Sequence, residues 1–388
     1  MKIKKYILLL IFVLLLTFTL VGNCAWLSGY DQRIKLTVDS SKIDSALSDF
    51  PVTVFFTSTQ AEEIFAEFDA DSDYMKCAFT SSDGTTQLYA EKELFDDSES
   101  KAIYHVKVTS VSSSADTDIY YYYDNDASDN TTYIGAINTT AGGHVWDSNF
   151  KAVYHMTDAT TSTVVDSTSN SNDGTKKAAN EPIEAAGKVG QAQDFDGTDD
   201  YIDCGTDNSL DLTEITLEAL IKPDTVTGGY DTIIAKREIV SPDYFINYQF
   251  SLHDDEIVFY FVDSDNNHHP YETTDANLLV DTWYHVIATF SSTNNSVKIY
   301  VNGVEKLSET ENADLTANIY PLALGRSGGY GDGEYFNGII DEPHISDTAR
   351  SAAWIKATYN SLWDSLLTYS SEETKPSGDN AVMFGINF

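Results

Sequence analysis

Two textures alternate along this chain: short runs in which every second residue is apolar, and polar turns that separate them. From Trp26 to about Tyr133 the runs are IKLTV (34–38), PVTVFF (51–56), MKCAFT (75–80), TQLYAEKELF (86–95), AIYHVKVTSV (102–111) and DIYYYYD (118–124). Period two over a handful of residues marks a strand with one buried face, and turn signals such as SSDGTT (81–86) bound the runs. One segment, TQAEEIFAEF (59–68), sets Ile64, Phe65 and Phe68 at helical spacing. Residues 26–133 therefore read as a small β-sandwich of ordinary domain size. Residues 134–149, polar and without a period, read as a linker. The strand texture resumes over 150–365. EITLEALIKP (214–223) alternates Ile215, Leu217, Ala219 and Ile221, and Val297, Ile299 and Val301 share a face in SVKIYVNGVEKLSE (296–309). Asn302-Gly303 is the residue pair that a tight type I′ hairpin needs. The one convincing helix is TARSAAWIKATYNSLW (348–363). Many short strands with regular turns predict an all-β chain of two β-sandwiches, followed by a tail over 366–388. The end of that tail, NAVMFGINF (380–388), is a spare apolar strand expected to pair with the first sheet or with a neighbouring chain.

Composition adds a partner class. The 388 residues carry 23 Lys and Arg against 61 Asp and Glu, a net charge of −38, with 24 tyrosines and 42% hydrophobic residues. So acidic a surface disfavours nucleic acid and anionic lipid, and suits cations, neutral glycans or simply solubility. The aromatic content is too high for a disordered acidic chain. The opening MKIKKYILLLIFVLLLTFTLVGNCAW has three lysines, then an apolar stretch from Ile7 to Val21. That is the layout of a secretory signal over residues 1–25. An uncleaved anchor and a lipoprotein at Cys24 are alternatives, and all three place the rest of the chain outside the cytoplasm, secreted or at the cell surface. No membrane contact is expected beyond this segment. Cys77 and Cys204 have no metal-binding spacing and read as small buried apolar residues, with one bridge as the alternative. Asn130, Asn138 and Asn294 open glycosylation sequons, which predict exposed loops.

Candidate chemistry is sparse. Asp69, Asp71 and Asp73 imitate the start of an EF-hand, but Tyr74 replaces the obligatory Gly and Thr80 the bidentate Glu, so a turn is expected. QAQDFDGTDDYIDCG (191–205) holds Asp194, Asp196, Asp199, Asp200 and Asp203, a metal site, a carboxylate pair or a polar turn around Gly197. Asp341 and Glu342 are adjacent, so strand alternation sends them to opposite faces. Neither Gly-x-Ser-x-Gly nor His-Glu-x-x-His is present.

The second region resembles the bacterial and phage form of the concanavalin A-like, laminin-G-like jelly rolls. The resemblance rests on AVYHM, VVDSTSNSNDGT, GKVGQAQDFDGTDDYID, DLTEITLEALIKP, DTWYHVIATF, KIYVNGV, PLALGRSGG and YFNGIIDEPHIS, in the family's order, with Leu220 where the family often has Trp. The first region resembles domain-of-unknown-function family 2341, through WLSGYDQRIKLTV, LSDFPVTV, FTSSDGTTQLYAE, IYYYYDN and the closing LLTYSSEE. The jelly-roll resemblance makes FDGTDDYID strand, tight turn and strand, with Phe195 and Tyr201 packing. It implies a structural calcium ion, for which Asp166, Asn172 and Asp341 are the candidates. It also implies glycan or glycoprotein binding by rim loops or the concave face. The candidate loops are VDSDNNHHPYE, with Asp263, Asp265, Asn266, His268 and Tyr271, and GRSGGYGDGEYFNG, with Arg326, Tyr330 and Asp332. Related glucanases use Glu-x-Asp-x-Glu, absent here, so binding and adhesion are expected rather than catalysis. A self-assembling subunit of a surface layer, filament or phage appendage is the alternative, and a glycan hydrolase the second.

Overall fold

The structure is a computed structural model that describes residues 25–157, 162–177, 181–240, 243–328 and 334–376. The signal-like segment, Tyr330, Asp332 and the 380–388 strand lie outside the described residues.

The first region contributes β1 (Gln32–Val38), β2 (Leu47–Thr57), α1 (Ser58–Glu67), β3 (Cys77–Thr80), β4 (Gln87–Leu88), β5 (Ala90–Asp96), β6 (Lys101–Val111), β7 (Thr117–Tyr123), β8 (Ile134–Ala136) and α2 (Thr140–Gly143). The second begins with β9 (Phe150–Val153), β10 (Thr163–Val164), β11 (Gly174–Lys177), β12 (Ile183–Ala186), β13 (Gln191–Asp196), β14 (Tyr201–Asp203) and β15 (Glu214–Pro223). It continues with β16 (Tyr230–Val240), β17 (Asp243–His253), β18 (Glu256–Val262), β19 (His268–Glu272), β20 (Tyr284–Ser291), β21 (Ser296–Val301) and β22 (Val304–Thr310). Then come β23 (Leu322–Leu324), β24 (Asn337–Ser346), α3 (Ala352–Leu362) and β25 (Leu367–Thr374).

The first sandwich packs the sheet β25-β1-β7-β3-β4 against the sheet β2-β6-β5-β8. Its core interleaves Ile34, Leu36 and Val38 with Phe50, Val52, Val54, Phe56 and Tyr104. The continuous tyrosine run of β7 is explained by burial on both faces. Tyr121 and Tyr123 enter this core, while Tyr120 and Tyr122 face outward against Tyr30 and Trp26. There the Arg33 guanidinium lies 4.2 Å from the Tyr120 ring and 4.4 Å from Trp26, and donates to the Tyr122 hydroxyl at 2.8 Å. The segment LLTYSSEE returns as β25 to pair with β1, so the end of the chain closes the first sheet.

The second sandwich faces the sheet β10-β11-β14-β23-β16-β17-β18-β19 against β12-β13-β24-β15-β20-β21-β22, with β9 on β24. Ile215, Leu217, Ala219 and Ile221 fill the space between them with Phe250, Phe259 and Ile299. Asn302 and Gly303 turn the β21–β22 hairpin at φ 51° and 74°, as the hairpin chemistry requires.

The stretch expected to be a linker is built into the fold. β8 pairs in parallel with β5, Thr139 caps α2, and Val145 and Trp146 enter the first core. α3 wedges between the sandwiches: Ala353, Trp354 and Ala357 belong to the first core, while Ile355 packs on Ile287 and Tyr300 of the second. Leu220 is buried against Ile103 and Leu362, so the position that departs from the family's Trp faces the first sandwich.

The expectation that Asp341 and Glu342 point to opposite faces needs correction. Between Glu218/His344 and Leu220/Asp341 the β15–β24 register shifts, and Glu342 takes φ 46°. This bulge breaks the two-residue alternation. Asp341 and Glu342 are both fully buried and close enough to repel one another: burial, then Glu342, push the Asp341 carboxyl well above its ordinary range.

Candidate ligand-binding cleft

A cleft of about 410 Å³ opens on the outer face of β16–β19. Its walls are Tyr230, Tyr244, Tyr260, His268 and Pro270, with Arg237, Gln249 and Glu334 as the polar floor. Two irregularities in β16–β17 pairing, between Thr232 and Ile234 and between Lys236 and Arg237, set this surface. The second leaves Asn247 unmatched, so Tyr244 and Ile246 line the cleft before it and Gln249 after it, while Tyr248 points into the core.

The floor is a closed hydrogen-bond net. Gln249 accepts from Arg237 Nη1, and its amide donates to Glu334 Oε2 at 3.0 Å, Ser251 Oγ at 2.9 Å and Thr232 Oγ1 at 3.2 Å. Arg237 Nη1 donates to the same Glu334 oxygen at 3.2 Å. Arg237 and Gln249 are buried, while Tyr230 and Tyr244 are each 39% exposed, so rigid polar groups lie below accessible rings. Tyr230 stacks on His253 with centroids 4.2 Å apart, and His253 is held by Glu272 at 2.7 Å. The Tyr260 hydroxyl meets His268 Nδ1, and burial raises Tyr260 to about 12, so it remains a hydroxyl at neutral pH. Flat rings above fixed donors and acceptors suit a flat, hydroxylated ligand.

The structure divides the first candidate loop. His268 enters the cleft, whereas Asp263 and Asn266 border a second cavity of about 290 Å³ with Tyr244, Phe245 and Asn318. Asp263 also ties its own turn, accepting from the Asp265 and Asn267 amides at 2.9 and 2.8 Å; Asp265 is exposed there. Tyr271 donates to Glu311, which also meets His269 at 2.7 Å, so Tyr271 anchors the loop after β22. Arg326 pairs in a bridge with Tyr335, and its guanidinium sits 3.5 Å over the Tyr201 ring.

The calcium candidates fall into two places. Asp166 accepts from the amides of Val153, Thr168 and Asn172 at 3.0, 2.9 and 2.8 Å, and the Asn172 amide group donates to the Lys151 carbonyl at 2.8 Å. Asp341 accepts from the Lys188 and Val189 amides at 2.8 and 2.9 Å. The aspartate-rich stretch is a corner joining β13 to β14 in the facing sheet. Asp196 accepts from Thr198 N at 2.8 Å, Asp203 from Gly205 N at 3.0 Å, and Gly197 turns at φ 70°. Phe195 is buried and Tyr201 half-buried. In the EF-hand mimic, Asp73 pairs with Lys76 at 2.9 Å and Asp71 accepts from Asp97 N at 2.8 Å. Cys77 and Cys204 are free and buried, and burial raises each thiol to about 12. Asn138 and Asn294 are exposed, but the Asn130 amide donates to Cys77 O at 3.0 Å and Gln87 at 2.7 Å, against its expected exposure.

Residues 196–356 match the family model of the concanavalin A-like lectin/glucanases superfamily. That stretch is a concanavalin A-like domain within an all-β chain. No curated protein matches the chain. Among solved structures, the binding domain of Paraclostridial mosquitocidal protein 1 aligns at TM-score 0.45 and 14% identity, over 55% of this chain and 52% of that one. Domain 4 of AbnA, an extracellular arabinanase from Geobacillus stearothermophilus solved with arabinotriose, aligns at TM-score 0.42 and 23% identity, over 54% of this chain and 97% of that one. The botulinum neurotoxin serotype D ligand-binding domain, solved with N-acetylneuraminic acid, aligns at TM-score 0.42 and 13% identity, over 55% and 50%. The chain thus spans about half the length of the two toxin domains. Among the described residues no helix is long and apolar enough to cross a membrane.

Proposed function

We propose that this protein is an extracellular carbohydrate-binding protein whose ligand lies in the β16–β19 cleft. The observation that carries the reading is the pairing of accessible Tyr230 and Tyr244 rings with a floor of buried Arg237 and Gln249 and half-buried Glu334. Sugar C–H faces stack on the rings, and ring hydroxyls bond to the amide, guanidinium and carboxylate edges. Binding is the reading rather than hydrolysis. Glycoside cleavage takes two carboxyls flanking the bond, and Glu334 is the one carboxylate among the described lining residues, already engaged by Arg237 and Gln249. The signal-like leader and acidic surface suit an extracellular site, and the first sandwich, with its resemblance to family 2341, serves as the platform. The two rim loops are divided: His268, Pro270 and Glu334 line the cleft, whereas Asp263 and Asn266 border the neighbouring cavity.

A glycan array with the purified chain, followed by calorimetry on its hits, tests this. Tyr244→Ala and Gln249→Ala should each weaken binding at least about tenfold, or about 1.4 kcal/mol, with an unchanged circular dichroism spectrum. An array without hits, or hits indifferent to both substitutions, would overturn it.

A further inference from the structure

Where the two sandwiches meet, the sequence places histidines and glutamates on strands that face one another. Glu93 (β5) and His105 (β6) come from the first sandwich; His155, just after β9, and Glu342 (β24) come from the second. All four are buried, and one donor atom of each lies within 4.8 Å of the others. His155 Nδ1 is 2.6 Å from Glu342 Oε1 and 3.8 Å from Glu93 Oε2, and His105 Nε2 is 2.8 Å from Glu93 Oε2.

Around these atoms stands a second ring of partners. The far nitrogen of His155 meets Glu91 Oε2 at 3.3 Å, and Glu91 accepts from the Trp146 indole at 2.6 Å. The far nitrogen of His105 meets Thr53 Oγ1 at 3.3 Å. Glu342 Oε2 is held by His344 at 3.0 Å, and Glu218, 3.8 Å from His344, is held by His285 at 2.8 Å. Glu91 Oε1 and Glu93 Oε1, both on fully buried side chains, accept no hydrogen bond. A buried carboxylate left short of partners is costly, and a cation held by Glu93 offsets that cost. The outer ring has the form that orients imidazole ligands around a metal.

We propose that Glu93, His105, His155 and Glu342 bind one divalent transition cation of the zinc class, which clamps the two sandwiches together. Two imidazoles and two carboxylates form a donor set that suits zinc better than calcium, which takes oxygen ligands. Tetrahedral zinc with bonds near 2.1 Å sets its ligands about 3.4 Å apart, so the pairs now at 2.6 and 2.8 Å open and the one at 3.8 Å closes, each by less than about 1 Å. A cavity of about 340 Å³ lined by His155, Asn138, Met156 and Val165 provides an approach from the surface.

The test is metal content by plasma mass spectrometry on the full chain, stripped with chelator and reloaded with Zn²⁺ or Co²⁺. One equivalent is expected, with a raised melting temperature and the visible bands of four-coordinate Co²⁺ carrying nitrogen ligands. Glu93→Gln and His155→Gln should abolish loading. Asp200→Asn, in the separate aspartate corner, should leave it at one equivalent. If a ligand variant fails to fold, X-ray absorption on the loaded parent decides: a shell containing imidazole supports the site. A chain that takes up no metal, an oxygen-only shell, or loading unchanged in folded Glu93→Gln overturns it.

Discussion

At the scale of single residues, the acidic composition hides carboxylates with opposite environments. Burial raises Asp231 to about 6, with only the Thr225 hydroxyl, at 3.1 Å, to offset it. Its folded state holds a proton that the unfolded chain has released, so its contribution is complete below about pH 4 and lost as pH rises through about 6. Asp231→Asn should therefore raise the melting temperature at pH 7 and leave it unchanged at pH 4, measured by calorimetry across that range. Asp147 behaves the other way. Burial pulls it up, but the Arg350 fork, with both contacts at 2.8 Å, outweighs this and holds it below the usual carboxylate range. Its stabilisation is present above the unfolded value near 4 and lost as pH falls through the lower folded value. Arg350 also lies over Phe150 and Trp354 at 4.5 and 4.2 Å. Arg350→Ala should cost about 3 kcal/mol at pH 7 in denaturant titration, and progressively less as pH falls through the folded value of Asp147.

Among the elements, α3 and the β21–β22 hairpin depend on one another. Ser351 caps α3 by accepting from Trp354 N at 3.2 Å, and Ser351→Ala should cost about 1 kcal/mol. A Cβ added at Gly303 would lie 3.2 Å from Tyr359 Cβ on α3, at a φ of 74°. Gly303→Ala should thus destabilise by more than the cap variant, about 1–2 kcal/mol, by urea unfolding. Elements of this kind were legible from the chain: the Asn-Gly turn, the α3 segment and the inward alternation of β15 each follow from local chemistry. The cleft was not. Tyr244 and Gln249 differ by an odd number of positions, and only the unmatched Asn247 brings both to one face. The same failure occurs at Glu342, where a bulge cancels the alternation that separates it from Asp341. β16 and β17 also carry Asp231, Lys236, Glu238 and Asn247, so polarity alone did not single out Arg237 and Gln249.

On the scale of the whole molecule, the first sandwich is assembled from both ends of the sequence. β1 needs β25 as its outer neighbour, and Arg33 needs Glu373, which it meets at 2.6 Å. A chain ending before Leu367 should lose the first sandwich's protection from proteolysis while the second remains resistant, because the edge of β1 is then unpaired and part of the core, Leu366 and Leu367, is exposed or lost. Equal resistance in the truncated and full chains would contradict this architecture.

Alternation, turn residues and helical spacing determined by themselves that the chain is all-β, that it builds two sandwiches, and where most strands run, because these are properties of adjacent residues. Tertiary structure alone decided which surface becomes the cleft and which charged residues are taken out of water between the sandwiches. Both depend on single-residue register shifts and on contacts between strands far apart in the chain, whose spacing in sequence carries no period to read.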